Sequence, residues 1–85
     1  MKKLLTIEYD SEDEILEMHL DKEGAKLLLN KIQMLLEKDE NSHEHLMTDT
    51  WGGNELTSEK QNLLPNITLL NHLKIIYWKE SYLEN

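Results

Sequence analysis

The chain has 85 residues with nine lysines, no arginine, no cysteine and a formal net charge of −8, which allows one small domain, excludes disulfides and thiolate metal sites, and argues against direct nucleic-acid binding for want of a basic stripe. Seventeen Leu and six Ile stand against no Val, no Phe and one Ala, so a thin core must be built mostly from leucine. No apolar run approaches the ~20 residues of a membrane helix, and Thr6, Glu8 and Asp10 interrupt the run behind Lys2 and Lys3 before it forms a signal segment, so a cytoplasmic protein is expected.

From Lys2 to Tyr9 the chain alternates with period two, Leu5, Ile7 and Tyr9 on one side and Leu4, Thr6 and Glu8 on the other, as a half-buried strand does. Asp10 to Asp13 is a polar turn, and Glu14 to Leu20 alternates again, so the pair is expected to form a β-hairpin. Asp21 stands where an N-cap belongs, with Glu23 in the first turn. From there to about Lys38, Ala25, Leu28, Leu29, Ile32, Leu35 and Leu36 recur at helical spacing and define one apolar face. His43 to Thr48 is a third strand, and Gly52 and Gly53 after Trp51 supply a turn that needs positive φ. Residues 54 to 71 show no clean period, and Asn62, Pro65 and Asn66 mark them as a loop. Asn71 to Lys79 is the last strand, followed by a frayed tail.

Short connections on either side of the helix set the second and third strands in one direction and the first against both. The economical arrangement is an α+β domain, ββαββ, with one antiparallel four-stranded sheet in the order 2-1-3-4 and the helix on one face. Pleat parity then directs Leu5, Leu16, Met18, Leu46, Leu73 and Ile75 at the helix. The opposite face receives His19, His43, His45, Met47, His72, Ile76 and Trp78, so all four histidines gather there. A second candidate surface is acidic: Asp10, Glu12, Asp13, Asp39, Glu40 and Glu44 are expected at one end of the sheet.

One stretch is more distinctive than the rest. His43-x-His45-Leu46-Met47-Thr48 followed by Trp51-Gly52-Gly53-x-Glu55-Leu56 resembles the signature of the immunity protein 32 family, small bacterial proteins encoded beside polymorphic toxins. The order of elements on either side is similar as well, so the likeness covers most of the chain. What the resemblance implies is neutralisation of a toxin by direct binding, without catalysis and without a cofactor. It does not specify which toxin.

The residues leave other readings open. Imidazoles at i and i+2 of a strand point the same way, so His43 and His45 with His19, His72 or a carboxylate would suit a tetrahedral metal, but the expected strand order holds His19 apart and no metal ligand is assigned. Catalysis by His43 or His45 with Asp49 or Glu55 as partner lacks a nucleophile or a phosphate-cradling loop. A recognition surface built on Trp51, Trp78, Met47 and the histidines fits best. Its alternative is that the 58–70 loop covers Trp78 and Ile76 within the molecule, and that Trp51 is a lid on the core. A homodimer through the same open face is the second functional reading, and a metal-dependent enzyme the third.

Overall fold

The computed structural model describes residues 2–80, and the expectation of a frayed tail falls, from residue 81 on, outside the described residues. β1 (Leu5–Asp10) and β2 (Ile15–Leu20) form the expected antiparallel hairpin, with Leu5 opposite Leu20 and Asp10 opposite Ile15. α1 (Lys22–Lys38) begins at Asp21, whose extended backbone lets its carboxylate accept the Gly24 N–H at 2.8 Å. That bond satisfies one of the donors a helix start leaves open, and it is the first cause holding the Asp21 carboxyl below its ordinary pKa. The helix stops at Asp39, left-handed with φ 49°, whose N–H closes on the Leu35 carbonyl at 3.1 Å. Gly24 was not legible as a special position, yet a Cβ there would run into the carbonyl of Leu4. The absence of a side chain is what lets the first helical turn lie on the start of β1, where the Asp21 N–H donates to that carbonyl at 3.1 Å.

The strands make two sheets in place of the expected one. β3 (Ser42–Met47) pairs only with β5 (His72–Tyr77), while β1 takes as its second neighbour β4 (Ile67–Leu70), a strand within the stretch expected to be a loop. The order is therefore β2-β1-β4 in one sheet and β3-β5 in the other. A single residue, Asn71, separates β4 from β5. Its carbonyl accepts the Thr48 N–H at 3.0 Å and its side chain accepts the Thr48 hydroxyl at 2.7 Å, so the run from Ile67 to Tyr77 leaves the first sheet and joins the second at a fully buried threonine.

Between β1 and β3 lies the segment after the glycine turn. Leu56 donates to the Met47 carbonyl at 3.1 Å and Thr57 to the Leu5 carbonyl at 2.8 Å, so two adjacent residues bridge the sheets where direct strand pairing was expected. The buried cluster Leu5, Ile7, Leu46 and Leu56 sits at that junction, with Leu27 and Leu28 of α1 and Leu70, Leu73 and Ile75 packed on it. The helix therefore lies over the junction rather than over the hairpin. Leu16 and Met18, expected beneath it, are exposed, as are Leu29, Ile32 and Leu36 on the helix itself. No helix of the described residues is long and apolar enough to cross a membrane.

Candidate functional site

The β3/β5 pair has one face in the core and one in solvent. Leu46 opposite Leu73 belongs to the first. The second carries His43 opposite Ile76, His45 opposite Lys74 and Met47 opposite His72. On it the His45 Nδ1 and His72 Nε2 stand 2.6 Å apart, so one ring donates to the other. Their ring centres lie 4.8 Å apart, His43 meets His45 edge-on at 4.9 Å, and Trp51 reaches His72 at 5.8 Å. Three imidazoles and an indole thus form a continuous ridge. Partial burial, then the neighbouring charges of His43, His72 and Lys74, push the His45 imidazole below the ordinary histidine pKa.

The turn that presents Trp51 is held from both sides. A 3₁₀ turn, Asp49–Trp51, ends at Gly52 with φ 89°, and the Gly53 N–H donates to the Thr48 carbonyl at 3.0 Å. Gly53 has ordinary φ but no room: a Cβ would meet the Met47 carbonyl oxygen at 2.6 Å. The Glu55 carboxylate reaches back to accept the Met47 N–H at 3.0 Å. Each residue of the Trp-Gly-Gly-x-Glu string therefore has its own reason, and together they aim Trp51 outward at 56% exposure rather than over the core.

His19 is not part of the ridge. It lies on the other sheet, where its Nε2 bonds the Glu17 carboxylate at 2.8 Å and stands 3.9 Å from Glu8. Glu8 is fully buried and was not singled out as a site residue in the sequence. Its carboxylate accepts the Thr6 hydroxyl at 2.6 Å and the N–H groups of Gln61 and Asn62, each at 2.9 Å. The Asn62 side chain in turn donates to both oxygens of Glu17, at 3.1 and 3.2 Å. Glu8, Glu17 and His19 are the one trio among the described residues whose possible ligand atoms approach within 4.8 Å. Glu8 and Glu17 accept from Gln61 and Asn62, so the trio clasps the 58–66 loop at those two residues. With the loop clasped there, Ile76 on β5 and Trp78 just beyond its end stay 52% and 58% exposed.

The acidic residues do not gather at one end. Asp10 faces Ile67 and Ser42 faces Tyr77, at opposite ends of the Ile67–Tyr77 run, which separates Asp10, Glu12 and Asp13 from Asp39 and Glu40. Asp10 is buried, accepting from the N–H groups of Glu12 and Asp13 and from the Asn66 side chain at 2.6 Å. Glu44 pairs with Lys31 of α1 at 3.5 Å, and Asp39 accepts the Tyr77 hydroxyl at 3.0 Å. Of these six, Glu12, Asp13, Asp39 and Glu40 are exposed, Asp39 with the Lys79 ammonium at 4.0 Å. Comparisons with known protein families, with characterised proteins and with solved structures find no match to this chain.

Proposed function

We propose that the protein neutralises a protein toxin by direct contact in the cytoplasm, as its resemblance to the immunity protein 32 family implies, and that the solvent face of β3 and β5 is the contact surface. On this reading it has no chemistry of its own. The observation that supports it most is the exposure, side by side, of Trp51, Ile76 and the His43-His45-His72 ridge on a sheet face that the helix and the 58–66 loop leave open. Large aromatic and aliphatic side chains of this kind, centred on a face with a polar surround, are where interfaces concentrate their binding energy. The net charge of −8 suits a basic partner, because complementary fields raise the rate of encounter.

The test is co-expression with the protein encoded beside it. A stable complex that restores growth of cells making that protein is expected. Absence of both complex and protection contradicts the reading.

A further inference from the structure

β2 is the outer strand of its sheet, and the bonds on the far side of β1 decide which of its backbone groups face outward. Leu5 donates its N–H to the Thr57 hydroxyl at 3.0 Å and accepts the Thr57 N–H at 2.8 Å, so it and alternate residues of β1 turn away from β2. Thr6, Glu8 and Asp10 therefore bond β2 through their partners His19, Glu17 and Ile15. Leu16, Met18 and Leu20 are left with N–H and C=O groups directed at the free edge. Among the described residues no strand pairs there. The six residues contain no proline, no lysine and no break in register, the devices by which sheet edges usually avoid pairing.

An apolar surface runs along the same edge. Leu16, at 60% exposure, Met18 and Leu20 lie on the helix side of β2. Leu29, at 65%, Ile32 and Leu36 follow one stripe of α1. Lys31 on the opposite flank of the helix bonds Glu44 of β3, so this stripe is turned towards β2. The six side chains expose on the order of 500 Å², the upper end for a monomer, so two copies would bury about the ~1,000 Å² a specific interface needs.

We infer that β2 pairs antiparallel with β2 of a second copy about a twofold axis through Met18. In that register Met18 faces its own copy, Leu16 faces Leu20, and Glu17 faces His19. Every outward N–H and C=O finds a partner, both helices fall on one side of a six-stranded sheet, and Glu17 and His19 alternate across the pair on the other side. The neighbouring registers that keep the hydrogen bonds are disfavoured by charge: one sets Glu17 against Glu17, the other sets Glu17 against Asp21. The strand is self-complementary in one register only. This dimer leaves the β3/β5 face free, so it stands or falls independently of toxin binding.

Sedimentation equilibrium of the full chain is expected to show a dimer with Kd of about 10 μM or tighter. Leu16→Lys should raise that Kd at least 100-fold with an unchanged circular dichroism spectrum. Because the chain has no cysteine, Met18→Cys supplies a single thiol, and a short bis-maleimide linker should join two copies through it but not through Ser58→Cys. The linker result decides the matter even if Leu16→Lys does not fold. A wild-type monomer at roughly 100 μM, a dimer that Leu16→Lys leaves intact, or equal cross-linking at both thiols would overturn the inference.

Discussion

The backbone N–H of Asn62 donates at 2.9 Å to the carboxylate of Glu8, a fully buried acid 54 residues earlier in the chain. Burial raises the Glu8 pKa, but the Thr6 hydroxyl, the two loop N–H groups and nearby His19 together outweigh it, and the net shift is downward. A carboxyl whose pKa is lower folded than unfolded stabilises the protein above the ordinary carboxylate range, and that contribution is lost as pH falls through the folded value. Glu8→Gln replaces one acceptor oxygen by an NH₂ group that must face a donor. The expected cost is about 1–3 kcal/mol, with a shallower loss of stability in acid. Urea titrations from neutral pH to below pH ~4 check both, and hydrogen exchange should quicken first at Gln61 and Asn62.

The three glycines should rank differently from what a turn argument alone gives. Gly24→Ala sets a methyl against the Leu4 backbone and is expected to cost most, on the order of 3 kcal/mol or more. Gly53→Ala must displace Met47. Gly52→Ala meets open space and pays only for positive φ, about 1 kcal/mol. Thermal melts of the three variants should follow that order.

His45, held below the ordinary histidine pKa, favours the folded state in its neutral form. The sign follows: its contribution is present above pH ~6.5 and is lost as pH falls from there towards the folded value. His45→Gln should flatten the stability profile on that acidic side. Nitrogen NMR of the ring should show His45 still neutral at a pH where a free imidazole is half charged.

The hairpin, the extent of α1 and its Asp21 cap were legible because each depends on neighbours within a few residues. So was a positive φ within the Gly52-Gly53 pair, which Gly52 alone adopts. The partners of β1 were not. Ile67–Leu70 follows Pro65 and Asn66 and has no period of its own, because Ile67 is buried against a sheet in which its partner strand β1 lies more than fifty residues away. Glu8 reads as an exposed polar residue of an alternating strand, since the N–H groups that satisfy it come from a distant loop. With β4 taking the edge expected for β3, the histidines divide into a ridge of three and His19 in the clasp, and the acidic residues divide between two ends.

Salt and charge should govern the speed of encounter with a basic toxin, over a Debye length of ~8–10 Å. Neutralising Glu12, Asp13, Asp39 and Glu40 should slow association while leaving dissociation unchanged. Asp10→Asn is expected to differ from these four, lowering stability because the buried carboxylate caps its own turn.

The most direct test of the proposed β3/β5 contact face is the dissociation rate of the complex proposed with the protein encoded beside it, read by surface plasmon resonance. Trp51→Ala and Ile76→Ala should each hasten dissociation by about 30-fold, the equivalent of roughly 2 kcal/mol at a central contact. Leu63→Ala, a change at an 82% exposed leucine on the clasped loop, should leave it unaltered. Dissociation indifferent to Trp51→Ala and Ile76→Ala, in a complex that forms, would contradict the assignment of that face.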